Sequence, residues 1–525
     1  MAEYPVLIGG KWRPAKASKT FQAVNPATGE PLAGTYPLSG WEDCDAALTA
    51  AADAANELRR TPPEAIARFL TRFAERIEEG KTPLVEQAHL ETALPKSPRL
   101  ADVELPRTTS QLRQAADAAL DGSWALPTID TKNQIRSCLE PIGPVVVFGP
   151  NNFPFAFSGV AGGDFAAAVA AGNPVIAKAH PLHPGTGRLL AEAAVAALSD
   201  IGLPAATVQM IYKIDHQSGQ RLVSDSRVGA SAFTGSRTAG MALKSAADAA
   251  GKPIYLEMSS INPVVILPGA LAERGGKLAG EFASSCLLGG GQFCTNAGFV
   301  MVFGDARADQ FIDEVKTAFD TAQPPALLAE TVAKGLAESV KMLRSAGAEL
   351  VTAAGDGQIG ARYPNTLLRV TGKQFLAEPH KLQTEAFGSA SLFVVVRDAD
   401  EAEAVLSHLE GNLTGCIYSD TQGSDDSLYA RLAPALRRRV GRLLNDKMPT
   451  GVAVSPAMNH GGPFPATGHP GFTAVGIPAS LRRFGMLCCY DNVRPHRLPA
   501  ALRDENPNGR MWRLIDGKMT QDSAS

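Results

Sequence analysis

The chain has 525 residues, 45% of them hydrophobic and 20% charged, which is ample apolar material for buried cores and excludes a mostly disordered chain. At about 100–200 residues per domain, that length suggests roughly two to four domains. Fifty basic residues stand against 53 acidic ones, and the resulting net charge of −3 leaves no electrostatic footprint for nucleic acid.

Residues 1–12 lack a basic segment followed by an apolar run, so no secretion signal is expected. No run of about 18 apolar residues reads as a membrane span, and a cytoplasmic location is the expectation. Residues 41–122 read as helical. Asp43 to Leu58 is Ala-rich, and Pro62-Pro63 breaks the run. From Pro63 to Glu79, Ile66, Phe69, Leu70, Phe73 and Ile77 recur at spacings of three and four, the stripe of an amphipathic helix with Pro63 in its first turn.

The middle of the chain alternates. Strands are expected at 145–148, 175–177, 208–212 and 228–233, with helices at 164–171, 185–198 and 219–223 between them. Such alternation predicts a parallel, doubly wound sheet, which binds ligands at the carboxyl ends of its strands. A second alternating region follows. Its strands are expected near 263–267, 299–303 and 392–396, and its helical stretches at 276–288, 307–322 and 327–346. The tail beyond Pro495 is polar and rich in Pro, Asn and Arg, which suits an extended arm or partly disordered segment.

Four local patterns bear on chemistry. Gly235-Ser236-Arg237-Thr238-Ala239-Gly240 leaves a strand and opens a helix, where unpaired N–H groups suit a phosphate; a plain strand-to-helix turn reads the same way. Gly289-Gly290-Gly291 lets the backbone take positive φ just before Cys294, which is either an exposed nucleophile or a thiol packed in a glycine bend. Asn152, between Pro150 and Pro154, is either a turn asparagine or a fixed amide donor to an oxyanion. Glu257, among apolar neighbours, is either an edge-strand surface residue or a base in a partly apolar site. The other cysteines, Cys44, Cys138, Cys286, Cys416, Cys488 and Cys489, form no CxxC and read as reduced thiols. His180 and His183, or His460 and His469, have no matching carboxylate pattern, so no metal site is expected.

Together, and in this order, these patterns resemble the aldehyde dehydrogenase superfamily over nearly the whole chain. The resemblance rests on residues 150–154 (PNNFP), 233–240 (FTGSRTAG), 256–263 (LEMSSINP), 291–295 (GQFCT) and 384–388 (TEAFG). It implies an α/β fold with a Rossmann-type cofactor domain, an α/β catalytic domain and a small β oligomerisation element. The expected boundaries are 1–122 with 142–256 for the cofactor domain and 257–460 for the catalytic domain. The oligomerisation element would take 123–141 with 481–495, a segment returning toward the cofactor domain 461–480, and the tail 496–525.

Carried over motif by motif, Cys294 is implied as the nucleophile, with Asn152 and the Cys294 backbone N–H as the oxyanion hole. Glu257 is implied as the base that activates the deacylating water. Gly235 and Ser236, with Gly240 completing their motif, would meet the pyrophosphate, Lys178 the adenine-side ribose, and Glu385 and Phe387 the nicotinamide end. Where the family has Pro-Ser-Glu after that lysine, this chain has Ala179-His180-Pro181. The carboxylate that would repel a 2′-phosphate is missing, so NADP is expected, with NAD as a second nucleotide and Arg237 or His180 assisting. Residues 178–186, 107–113 and 459–467 narrow the resemblance to the α-ketoglutaric semialdehyde (2,5-dioxovalerate) dehydrogenases of sugar-acid and hydroxyproline catabolism. Their substrate has a distant carboxylate, for which Arg107 is the candidate partner with Gln111 one turn on; a surface arginine is the other reading. Phe153, Phe157 and Phe464 are candidate tunnel walls, or ordinary core aromatics.

The reading implied is NAD(P)-dependent oxidation of a small aldehyde by a homodimer or homotetramer, without nucleic-acid or membrane partners. Dehydrogenation of other semialdehydes or aliphatic aldehydes, a thiol hydrolase using Cys294 and a histidine, and a non-catalytic binding protein are the alternatives.

Overall fold

The structure, a computed structural model, describes residues 3–16, 19–353 and 357–524. The expected segment ends at residues 1 and 525 therefore lie outside the described residues. Among the described residues, two seven-stranded sheets and one five-stranded sheet organise the chain, with a two-stranded ribbon of Thr20–Phe21 and Tyr36–Pro37.

The first sheet runs in the order Ile254–Glu257, Ala230–Thr234, Val145–Phe148, Val175–Lys178, Val208–Ile211, Val6–Ile8, Lys11–Arg13. Its first five strands are parallel, and the N-terminal pair adds antiparallel at one edge. Strand order reverses between Val145–Phe148 and Ala230–Thr234, and at such a switch point the loops part to leave a ligand crevice. Val145, Val146, Val175, Ile176 and Val208 are fully buried, as a parallel sheet covered on both faces requires.

The second sheet runs Glu349–Leu350, Thr366–Thr371, Ala390–Val396, Phe299–Phe303, Val264–Ile266, Asn412–Tyr418, Val440–Asn445 and is parallel apart from its first pair. The mixed α/β architecture with parallel sheets is as expected.

The helix Pro63–Glu79 buries Ile66, Phe69, Leu70, Phe73 and Ile77, the predicted stripe. The helical stretch expected over 41–122 is broken more often than its composition suggests. Separate helices span Trp41–Leu58, Lys81–Thr92 and Leu105–Asp121, with an irregular wide turn at Lys96–Glu104. Ala93 takes a left-handed φ of 56°, and Pro95 and Pro98 then remove backbone donors from the stretch.

The third sheet runs Gly485–Asp491, Ile135–Pro141, Thr128–Asp130, Arg513–Ile515, Lys518–Thr520. The tail expected as an extended or disordered arm instead supplies two of these strands. Its polarity is spent internally: Arg513 is fully buried and donates to the carbonyls of Arg503, Asp504 and Asp522. Arg136 reaches across to Asp504 at 2.7 Å. Among the described residues, no helix is long and apolar enough to cross a membrane.

Candidate active site

A cleft of about 380 Å³ opens at the switch point of the first sheet, and Asn152, Gly235, Ser236, Glu257, Cys294, Glu385 and Phe387 all line it. Cys294 is carried by a turn that only glycine permits. Gly289, Gly290 and Gly291 have φ of 58°, 67° and 69°. A Cβ on Gly291 would also lie 2.1 Å from the Gly388 carbonyl oxygen. The turn is then clamped, because the Asn262 amide donates to the carbonyls of Cys294 and Asn296, each at 2.9 Å.

Asn152 follows the Val145–Phe148 strand. Its amide donates to the Gln292 carbonyl at 2.9 Å, which fixes the group beside the cysteine turn. An amide carries two N–H donors, so one remains for a ligand in the cleft. Glu104, which no motif flagged, pins this loop: one carboxylate oxygen accepts the N–H groups of Phe155 and Ala156 at 2.8 and 3.0 Å. Arg99 pairs with Glu104, donates to the Asn152 carbonyl at 3.0 Å and lies 4.4 Å from the Phe153 ring centre.

Glu257 ends an edge strand but is only 1% exposed, so the surface reading fails. A returning segment covers that edge: Met258 donates to Ala466, Gly468 donates to Leu256, and Glu257 bridges Thr467. The same segment brings in His460, which is buried and held by the Thr473 hydroxyl. Its Nε2 lies 3.4 Å from Cys294 Sγ and 3.0 Å from Glu257 Oε1. Burial first, and the Glu257 charge second, hold the Cys294 thiol well above its ordinary pKa. His460 is the residue that local reading missed as chemistry, although it lies within the 459–467 segment that narrowed the resemblance.

The turn Thr234-Gly235-Ser236 delivers the N-terminus of the Arg237–Ala249 helix to the cleft wall, with Ser236 capping Ala239. At Gly235 a Cβ would lie 2.8 Å from the Phe233 ring. Open N–H groups at this close turn suit a pyrophosphate, so the residues present fit a nicotinamide dinucleotide. Lys178 ends its strand two pairs from this turn, and burial with Lys213 nearby lowers its pKa to about 8. Glu385 is raised to about 7 by burial.

Several placements correct the sequence expectation. Gly240 faces inward, where a Cβ would meet Met258 at 3.0 Å, so it serves helix-to-strand packing and not the nucleotide. Arg237 is tied to Glu410 at 2.7 Å. His180 lines the cleft, but burial and then His183 push its pKa well below its ordinary value, so it brings no charge to a phosphate. Phe464 is 58% exposed and lies under Arg237, because the return loop turns it outward. The aromatic cluster is instead Phe153, Phe157, Phe293 and Phe472. Arg107 is not a surface arginine. Its guanidinium sits 5.2 Å from the Phe157 ring centre, and its Nη2 and Gln111 Nε2 are buried donors without partners among the described residues.

The aldehyde dehydrogenase family profile matches residues 12–456. Alpha-ketoglutaric semialdehyde dehydrogenase 2 of Azospirillum brasilense is 42% identical, covering 98% of each chain. The Alpha-ketoglutaric semialdehyde dehydrogenase of Acinetobacter baylyi is 35% identical, again over 98% of each chain. Among solved structures, the NADP-dependent glyceraldehyde-3-phosphate dehydrogenase of Bacillus halodurans complexed with NADP superposes with a TM-score of 0.76 at 22% identity, covering 94% of this chain and all of that one. With the profile spanning most of its length and two relatives matching it end to end, this chain belongs to the aldehyde dehydrogenase family.

Proposed function

We propose that the protein oxidises α-ketoglutaric semialdehyde to 2-oxoglutarate with NADP, and with NAD as a second nucleotide. The observation that carries the substrate is the pair of unsatisfied buried donors on Arg107 and Gln111. Buried donors without partners are costly, and a substrate carboxylate seated against this helix satisfies both. The two residues are four apart on one helix, so they face the same way. Arg107 packs on Phe157, whose ring also meets His460 beside Cys294, and this supports an anion receptor near the nucleophile.

The residues divide the work as follows. Cys294 attacks the aldehyde carbon as its thiol proton passes to His460 Nε2, with the Glu257 carboxylate stabilising the imidazolium. Asn152 and the Cys294 N–H hold the developing oxyanion of the thiohemiacetal. When bound, the nicotinamide supplies the two-electron acceptor that turns this adduct into a thioester. Glu257 then draws a proton from water, which attacks the thioester and frees the acid and the thiol. The Cys294–His460–Glu257 grouping also favours a second reading, a thiol hydrolase. An aldehyde oxidised only when nucleotide is supplied excludes it as the main activity.

The absent carboxylate after Lys178, together with the neighbouring Lys213, supports NADP. Losing the Arg107 guanidinium removes a charge-assisted contact of about 1.5–3 kcal/mol, or roughly ten- to a hundred-fold in KM. Arg107→Leu is therefore expected to raise KM for the acidic aldehyde by that factor and leave a neutral aldehyde of similar size unchanged, in steady-state assays. Equal KM changes for both refute the assignment. The charge on Lys178 gives a pH signature, since its ammonium is present below about pH 8 and lost above it. KM for nucleotide should be flat below pH 8 and climb above it, by up to about tenfold per pH unit. Lys178→Arg stays charged and removes the climb. The open edge strand Gly485–Asp491, with Leu487 70% exposed, supports pairing between copies in a homodimer or homotetramer.

A further inference from the structure

The side chains of Cys294, Glu257 and His460 form a compact triangle of one sulfur, one oxygen and one nitrogen, all within 4.8 Å of one another. We propose that this triangle is a zinc-binding site, at which a divalent zinc ion captures the nucleophile and reversibly arrests the enzyme. The inference goes beyond the oxidation reading and does not depend on which aldehyde is oxidised.

The geometry fits zinc. Bonds of about 2.3 Å to sulfur and about 2.0–2.2 Å to nitrogen and oxygen, at tetrahedral angles, separate S from N by about 3.5 Å and N from O by about 3.4 Å. The observed S–N and N–O separations are 3.4 Å and 3.0 Å, and the third edge, sulfur to carboxylate oxygen, is within 4.8 Å. A mixed sulfur, imidazole and carboxylate set suits borderline-soft zinc better than the hard magnesium or calcium ions. Three protein ligands leave a fourth position open, and two of the three, Glu257 and Cys294, line the cleft.

The carboxylate provides an independent sign. The Glu257 side chain is 2% exposed, and outside the Cys294–His460 pair it has no hydrogen-bond partner among the described residues. A buried carboxylate so placed has unused acceptor capacity aimed into the triangle. Charge also balances. Binding releases the thiol proton to solvent, leaving one thiolate and one carboxylate around a doubly charged ion, with a neutral imidazole. The ligands are held in place: the His460 backbone N–H and carbonyl bond to Thr473 and Ala474, and its ring packs on Phe157. Little rearrangement is needed for capture.

The test uses the full-length protein, stripped with a chelator and assayed without aldehyde or nucleotide. Zinc chloride is titrated by equilibrium dialysis, and Cys294 reactivity is followed by iodoacetamide labelling. Expected are one zinc per chain, labelling of Cys294 slowed at least about tenfold, and full recovery with chelator. Cobalt in place of zinc should give a near-ultraviolet thiolate charge-transfer band that is absent in Cys294→Ser. Removing a ligand should weaken zinc binding by about 10–100-fold or more, so His460→Asn and, independently, Glu257→Gln should each do so. Circular dichroism identifies any variant that has not folded, and the other then decides. Undiminished stoichiometry and affinity in the folded variants, or labelling unaffected by zinc, overturns the site. None of these readouts uses turnover, so the failure of this site and the failure of the oxidation reading are separately visible.

Discussion

Replacing Glu257 with Gln should leave the first half of the reaction running and stop the second. Mixed rapidly with aldehyde and nucleotide, the Glu257→Gln protein is expected to give a burst of reduced nucleotide close to one per active chain. Steady-state turnover should then fall by about 10²–10⁴, the usual cost of losing a positioned general base. The carboxylate is buried at 1% exposure and sits at the cleft wall beside Cys294, where the amide of Gln keeps the shape and loses the base. His460 remains in place to take the thiol proton, so acylation continues, slowed by loss of the carboxylate that stabilises the imidazolium. A quenched sample should hold the acyl group on Cys294 as a thioester. Unchanged steady-state turnover sinks the role.

Asn152→Ala should fail at the opposite step. Its amide is aimed by the Gln292 carbonyl and by the Glu104 clamp on the following residues, so in the proposed role the donor is held ready for the oxyanion. Removing one such donor costs about 10²–10³ in rate. Because the oxyanion forms before any reduced nucleotide appears, the burst itself should slow by that factor. KM for aldehyde should move far less. Stopped-flow traces of the two variants are therefore expected to be complementary: a burst with stalled turnover for Glu257→Gln, and no resolved burst for Asn152→Ala. A normal burst rate in Asn152→Ala removes the residue from the oxyanion hole.

Much of this fold can be read from the sequence because its signals are local. The strand Phe299–Phe303 and the helix Pro63–Glu79 carry their own period and punctuation and lie where the pattern puts them. The irregular turn at Lys96–Glu104 does not, since its shape is set by two prolines and by what Glu104 and Arg99 must reach. The tail misleads for a related reason. Its polarity resembles that of a solvated arm, but the buried Arg513 spends it on carbonyls of the tail itself, and Asp504 spends it on Arg136. In the candidate site, Cys294, Asn152 and Glu257 are visible through motifs in order. His460 is separated from Cys294 by 166 residues and lies in a loop without periodicity. Only the pairing of Ala466 and Gly468 with the Glu257 strand shows that the loop comes back to the thiol. Phe464, four residues on, lies in the same loop and turns the other way, a choice no hydrophobicity pattern encodes.

The return loop over the Glu257 strand also ties the chemistry to long-range closure. The thiol and its imidazole are separated by 166 residues, and the strands Val264–Ile266 and Asn412–Tyr418 of the second sheet pair across a comparable length of chain, so the entropy of large loops is spent on the sheet and on the site alike. The cysteine is armed only when both closures hold. A newly made or refolding chain with its local helices formed still carries an unarmed sulfur, and a reactive aldehyde meets a competent nucleophile only once the strap is seated.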